Sequence, residues 1–253
     1  MILNAFNLEG KVAIVTGCNT GLGQGIAVGL AEAGCNIVAV NRSAPTETES
    51  KVTALGRQFL DIRADLMTTQ DIPSIVEKTI ETFGRIDILV NNAGIIRRAD
   101  AIEFTEKDWD DVMDVNAKTV FFLSQAVAKQ FIAQGEGGKI INIASMLSFQ
   151  GGIRVPSYTA SKSGIMGVTR LMANEWAKHG INVNAIAPGY METNNTEALR
   201  ADETRNQEIL ARIPAGRWGT PEDLAAPCVF LASPASDYVN GYTLAVDGGW
   251  LAR

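Results

Sequence analysis

The sequence has 253 residues, 46% hydrophobic and 20% charged. That is the composition of an ordinary folded protein of one or two domains, and it excludes disorder, collagen-like repeats and disulfide-dense scaffolds. Its 22 basic and 28 acidic residues leave a net charge of −6, the wrong sign for gripping nucleic acid or an anionic membrane over a broad face.

At the amino end, residues 1–10 contain no basic, apolar leader. No later run reaches the roughly 18 apolar residues of a membrane span, so a cytoplasmic protein is expected. A first strand is read at 12–15 and runs directly into Thr16-Gly17-Cys18-Asn19-Thr20-Gly21-Leu22-Gly23, which opens a helix over 22–33 closed by Gly34. Glycines there let the chain turn tightly and let a pyrophosphate approach the amide groups at the helix start, where the helix dipole favours negative charge. The same glycines would serve a plain tight turn, but a strand before and a helix after favour a dinucleotide. A second strand at 37–40 ends at Asn41-Arg42, where such folds usually place an acid against the ribose hydroxyls of NAD. Asn41 can hydrogen-bond a 2′-hydroxyl without repelling a phosphate, while Arg42 can pair with the 2′-phosphate of NADP or stand as a solvated surface arginine. A third strand candidate precedes Asp65-Leu66, and Asp65 suits either an adenine amino group or a helix cap.

A helix over 71–83, closed by Gly84, leads to a strand at 86–90 and the turn Asn91-Asn92-Ala93-Gly94. This turn can lie beside the adenosine of a cofactor or be held by its own Asx hydrogen bonds. Arg97 and Arg98 follow it. One long helix is expected over 105–134, closed by Gly135, and then a strand at 139–143 that leads to Ser145. Tyr158-Thr159-Ala160-Ser161-Lys162 opens a helix over 158–179, where the single histidine, His179, reads as a cation at the helix end before Gly180. Tyr158 and Lys162 are four apart and share a helix face, so the ammonium can lower the phenol pKa from about 10 and make the tyrosine an acid/base. Ser145 would then hydrogen-bond the substrate oxygen. A Tyr-x-x-x-Lys pair alone arises often by chance, but its place after a glycine turn, an Asn-Asn-Ala-Gly turn and a strand-terminal serine gives it weight.

Arg154 lies in the loop tethered between Ser145 and Tyr158, which must pass the mouth of such a site. With Gln150 and with Arg97 or Arg98, it is expected to pair with a substrate carboxylate, the alternative being surface charge. A strand at 181–186 is followed by a polar stretch over 190–217 with no strand character and no obvious buried stripe, read as a lid or specificity segment. Thr220-Pro221-Glu222-Asp223 starts a last helix running to about Ala232, and strand signals continue to Val246. The three cysteines, Cys18, Cys35 and Cys228, have no metal-ligand spacing, so no metal site is expected and a reducing compartment is.

Continuous apolar runs read as strands buried on both faces, and their alternation with helices implies an α/β fold. The expectation is a single Rossmann-like domain over 1–253, a doubly wound sheet of about seven parallel strands with helices on both faces. At these residues the chain resembles the short-chain dehydrogenase/reductase family over nearly its whole length. The resemblance implies that Thr16, Gly17, Asn19, Gly21, Leu22 and Gly23, with Asn92, Ala93 and Gly94, hold a nicotinamide cofactor. It implies that Ser145, Tyr158 and Lys162 are catalytic, with Lys162 also binding ribose hydroxyls, and that Asn116 holds a water in a proton relay. Pro188, Gly189 and Thr193 match the segment against the nicotinamide carboxamide. The family resemblance also implies a homotetramer. More narrowly, residues 92–98, 145–158, 213–219 and 246–253 resemble family members acting on six-carbon keto sugar acids in uronate breakdown. That implies NAD(H), with NADP(H) use kept open by Arg42. The competing expectations are a family neighbour acting on gluconate or on 3-oxoacyl thioesters, and a dinucleotide sensor without chemistry.

Overall fold

The computed structural model describes residues 1–253, the side chain of Asn195 excepted. Strand β1 (Val12–Thr16) is buried along its whole length because its side chains supply two cores at once. It is joined by β2 (Asn36–Asn41), β3 (Phe59–Arg63), β4 (Ile88–Asn91), β5 (Gly138–Ile143), β6 (Ile181–Pro188) and β7 (Thr243–Val246). These strands form one sheet in the order β3-β2-β1-β4-β5-β6-β7, with every neighbouring pair parallel. The connecting helices are α1 (Gly21–Glu32), α2 (Thr46–Ala54), α3 (Ile72–Phe83), α4 (Glu106–Met113), α5 (Thr119–Gln134), α6 (Pro156–Trp176), α7 (Glu197–Ala201), α8 (Glu203–Arg212) and α9 (Ala225–Ala232).

Successive residues of a strand point to opposite faces, and β1 shows the result. Ala13 and Val15 pack with Ile26 and Leu30 of α1 and Cys228 and Leu231 of α9. Val12 and Ile14 belong to the other core, with Ile75 of α3, Leu123, Val127 and Phe131 of α5, and Met172 of α6. Burying each such Val, Leu or Ile contributes about 1.5–3 kcal/mol, which is why these strands are uniformly apolar rather than alternating. Gly84, Gly135 and Gly180 end their helices in the left-handed region, as expected for C-caps.

Strand order reverses between β1 and β4, so the chain leaves those two strands in opposite directions and opens a crevice at their carboxyl ends. Everything that carries the site lies at or beside that crevice.

Three expectations change. The helix expected over 105–134 is broken into α4, a π-helical turn at Asp114–Lys118, and α5. A π turn accommodates one extra residue without disturbing the apolar period on either side, so periodicity does not reveal it. The stretch 190–217, read as having no obvious buried stripe, does contribute to a core. It contains α7 and α8, and Ile209 and Ile213 are buried against Trp218 and Trp250. Its largest burying partners, Trp218 and Trp250, stand outside the segment, so its own residues read as mostly polar. The last helix begins as a 3-10 turn, Pro221–Leu224, before α9. The Thr220 amide donates to the Asp223 carboxylate there at 2.8 Å.

Candidate active site

The crevice is a cleft of about 1200 Å³ lined by Gly17, Asn19, Gly21, Leu22, Gly23, Asn41, Arg42, Asp65, Leu66, Asn92, Ala93, Gly94, Gly189 and Thr193 among others. Its first wall is made of two turns locked together. The Thr16 hydroxyl accepts from the amides of Asn92 at 3.1 Å and Ala93 at 3.0 Å. In return the Asn92 side-chain amide donates to the carbonyls of Thr16 at 3.0 Å and Gly17 at 2.8 Å. Gly17 has φ +65°, and a Cβ there would stand 2.8 Å from the Ala93 Cα. The glycine is demanded both by its backbone angle and by the adjoining turn. Thr16 is therefore a buried staple between β1 and β4 that does not itself line the cleft. Pro188 likewise closes β6, buried and paired with Val246 of β7, while Gly189 and Thr193 face the cleft.

At the far end, Asn19 donates to the Ser43 hydroxyl at 3.0 Å. Asn41 is buried, and its Oδ1 has no hydrogen-bond partner among the described residues. Asp65 both faces the cleft and caps its own turn, accepting from the Met67 amide at 3.0 Å.

The other wall starts where β5 ends. Ser145 accepts from the Leu147 amide at 3.1 Å, which fixes its side chain at the strand terminus. Helix α6, with Pro156 in its first turn, places Tyr158 and Lys162 one turn apart on the cleft side. Ser145 and Tyr158 both line the cleft. Lys162 Nζ donates to the Ile143 carbonyl at 2.6 Å and lies 5.7 Å from the Tyr158 ring centroid. Burial pushes the Tyr158 phenol up, while the Ser145 hydroxyl and the positive charge of Arg98 pull it back down. Burial lowers Lys162 to about 8. Two cations thus bear on the phenol: Arg98 and, 5.7 Å from its ring centroid, the Lys162 ammonium, whose hydrogen bond runs to the end of β5. A cation stabilises phenolate, so removing the Arg98 charge raises the phenol pKa further. Arg98→Gln is expected to move the pH profile of kcat/KM to higher pH while Arg98→Lys leaves it in place; an unmoved profile in Arg98→Gln would show that the charge does not reach Tyr158.

Asn116 sits in the π turn, fully buried. Its amide accepts from the Ile95 N–H at 2.8 Å and donates to the Ile95 carbonyl at 2.9 Å and the Ser161 hydroxyl at 3.3 Å. Its side chain pins the strap after Gly94 that leads to Arg97 and Arg98.

Residues 17–251 match the family model described as enoyl-(acyl carrier protein) reductase. The chain is 75% identical over 253 residues, all of both chains, to the 2-dehydro-3-deoxy-D-gluconate 5-dehydrogenase of Escherichia coli strain K12. It is 74% identical over the same length to the protein of that name from Dickeya dadantii strain 3937. This chain belongs to the short-chain dehydrogenase/reductase family. A solved structure from Agrobacterium tumefaciens, described under the name 2-deoxy-D-gluconate 3-dehydrogenase and containing bound NADP, superposes with a TM-score of 0.93. It is 60% identical and covers 99% of this chain and 100% of its own.

Around the mouth, this short-chain dehydrogenase/reductase pairs two of the expected arginines with acids of its own. Arg97 is paired with Asp108 at 3.4 Å and Asp111 at 3.3 Å, and Arg154 with Asp100 at 3.0 Å. Two of the expected carboxylate partners therefore already hold acids of the 100–111 segment. Arg154 is also a non-glycine residue at φ +63°, and its carbonyl accepts from the Ala99 amide at 3.1 Å, tying the two arginine loops together. Gln150 faces the cleft and accepts from the Trp250 indole at 3.3 Å.

Sequence reasoning missed Tyr190, Arg205, Glu208, Arg212 and Trp250, all of which line the same cleft. The available signal was the set of aromatics bracketing the polar stretch. Tyr190 meets Trp218 and Trp250 edge-on, with centroids 5.3 and 4.7 Å away, and the Trp218 indole donates to Asn206 of α8 at 2.8 Å. His179 is exposed in the 3-10 turn before Gly180. Cys18, Cys35 and Cys228 are buried free thiols, and burial pushes Cys18 and Cys228 up to about 12. Among the described residues, no helix is long and apolar enough to cross a membrane.

Proposed function

We propose that this chain is an NAD(P)(H)-dependent oxidoreductase that interconverts the C5 carbonyl and alcohol of a six-carbon keto sugar acid. The alcohol form is 2-dehydro-3-deoxy-D-gluconate, the compound named for its E. coli and D. dadantii relatives. The observation that carries the reading is the convergence of Ser145, Tyr158, Lys162 and the Arg98 charge on one cleft, which the glycine turn also lines.

The cleft suits a dinucleotide. Among the described residues no side chain caps the start of α1, and Gly21, Leu22 and Gly23 line the cleft there, so the first-turn amides are available to a pyrophosphate. The unpartnered Asn41 Oδ1 suits a ribose hydroxyl, which favours NAD(H). Arg42 beside it suits a 2′-phosphate, the group carried by the NADP bound in the A. tumefaciens neighbour. Asn19, Asp65, Leu66, Asn92, Ala93, Gly94, Gly189 and Thr193 would hold the rest of the cofactor, with Tyr158 and Lys162 at the nicotinamide ribose. The nicotinamide, when bound, supplies or accepts the hydride.

Tyr158, kept protonated at neutral pH by burial, donates its proton to the substrate oxygen in reduction, and Ser145 holds that oxygen. Lys162 is charged at neutral pH and loses its proton above about 8, so it stabilises negative charge at the cleft floor in the working range. Asn116 keeps the Gly94 strap in place. Gln150, Arg97, Arg98 and Arg154 surround the mouth. One domain carries all these roles, and 190–217 is the specificity segment over the cleft. The assembly is a homotetramer in the cytoplasm. An apolar groove between α5 and α6, lined by Phe121, Ile132, Leu171 and Trp176, supports pairing of copies there, and three buried free thiols suit a reducing compartment.

The test is consumption of NADH and NADPH with 2,5-diketo-3-deoxygluconate, 5-ketogluconate and a 3-oxoacyl thioester. The highest kcat/KM is expected for the first, and preference for either of the others would replace this reading.

A further inference from the structure

On the sugar-acid reading above, we infer that Arg212, the last residue of α8, binds the substrate carboxylate, and that Trp250 and Gln150 hold it in place as a preformed anion subsite. The segment over the cleft turns one face inward. Ile209 is buried in the aromatic cluster with Trp218 and Trp250, which sets the rotation of α8 and leaves Arg205, Glu208 and Arg212 along the cleft at the spacing of one helix face.

The charges on that face and at the mouth are not equivalent. Arg205 is neutralised by Glu208 at 2.9 Å, and Arg97 and Arg154 are held by Asp108, Asp111 and Asp100. Arg212 stands exposed and lines the cleft, with no carboxylate in ion-pair range among the described residues.

Arg212 is nevertheless held. Its guanidinium carbon lies 3.9 Å from the centroid of the Trp250 ring. A guanidinium stacked on an indole gains cation–π attraction through its face and keeps its N–H donors at its edge, where they can meet a carboxylate fork to fork. Trp250 is itself immobilised. It is buried, meets Tyr190 edge-on at 4.7 Å, and donates to Gln150 Oε1 at 3.3 Å. The Asp247 carboxylate accepts from the amides of Gly249 and Leu251, both at 2.9 Å, which fixes the turn carrying the indole. With its oxygen engaged by Trp250, Gln150 has its amide donors left for a ligand. Residues from three remote stretches of chain thus build one rigid, cationic corner in the cleft that also holds Ser145 and Tyr158. In a sugar acid the carboxylate is four bonds from the C5 centre, at the opposite end of the molecule from the reacting oxygen. A positive corner apart from the catalytic residues would orient the substrate by that end.

The experiment compares 2-dehydro-3-deoxy-D-gluconate with its primary carboxamide in the wild type, Arg212→Gln, Arg212→Lys and Trp250→Leu, with NAD(H) affinity measured by fluorescence titration. Arg212→Gln is expected to raise KM for the acid by about 10–100-fold. The carboxamide KM and NAD(H) affinity should stay within about twofold of the wild type. Arg212→Lys should recover part of the loss, and Trp250→Leu should raise KM for the acid alone by a smaller factor. Equal losses for acid and amide, no loss for either, or a loss of NAD(H) affinity would overturn the subsite. If the wild type prefers the acid and Arg212→Gln is unaffected, the subsite falls while the proposed activity stands. If the wild type prefers the amide, both fall together.

Discussion

Tyr158→Phe is expected to lower turnover by about 10²–10⁴-fold, the range a positioned general acid contributes, while NAD(H) affinity stays within about twofold. The substitution removes one oxygen and keeps the ring, so packing on α6 is preserved and the loss should appear in kcat and kcat/KM alike. Direction of reaction sharpens the expectation. Because burial raises the phenol pKa, Tyr158 carries its proton at neutral pH and is already in the form that reduction requires. Oxidation needs the phenolate, so its rate in the wild type should climb as pH rises towards the phenol pKa, and the reductive rate should fall over the same interval. Both pH dependences should vanish in Tyr158→Phe. Stopped-flow measurement of single-turnover rates against pH checks this, and a variant that retains its pH dependence with substantial activity would remove Tyr158 from the role of proton donor.

Gly23→Ala is the second large effect. A Cβ at this position would run into the Gly17 carbonyl and the Asn92 side-chain amide and would stand 2.8 Å from the Cys18 Cα. None of these is a flexible tip. Gly17 and Cys18 belong to the turn after β1, and Asn92 is fixed by its two hydrogen bonds to the carbonyls of Thr16 and Gly17. Relief must come from moving the start of α1 or breaking the staple between the two turns. Overpacking of this kind costs about 1–3 kcal/mol, equivalent to a fall in Tm of about 2–12 °C for a chain of this size. The larger consequence is for the cofactor, because the displaced amides are the ones offered to the pyrophosphate. NAD(H) affinity is expected to fall by about 100-fold, measured by fluorescence titration at a temperature where circular dichroism shows the variant folded. A variant folded to the same extent with unchanged affinity would mean that the glycine turn serves the fold alone.

The two substitutions also divide the site by how it could be read. Ser145, Tyr158 and Lys162 were legible because each depends on local geometry. A strand end carries the serine, and a four-residue spacing puts phenol and ammonium on one helix face. The glycine turn was legible for the same reason, although Thr16, its first residue, proved to be a staple. What Lys162 does to Tyr158 was not legible. Spacing places the ammonium near the ring, but shows neither its hydrogen bond to the Ile143 carbonyl nor the second cation, Arg98, that the fold brings to the phenol from 60 residues earlier in the chain. Asn116 was identified by resemblance, yet only the π turn and the Ile95 backbone reveal that its amide fastens a strap.

From sequence alone came the alternation of strands and helices, the parallel sheet, the crevice and the catalytic residue types, because hydrophobic period, glycine caps and helical spacing are properties of short windows. Only the tertiary structure decided which partner each arginine meets. Arg154 meets Asp100 from 54 residues away and Arg212 meets the ring of Trp250 from 38 away. Coulomb attraction and ring stacking act through space over a few ångströms, and nothing in a window of sequence records which charges the fold will bring that close.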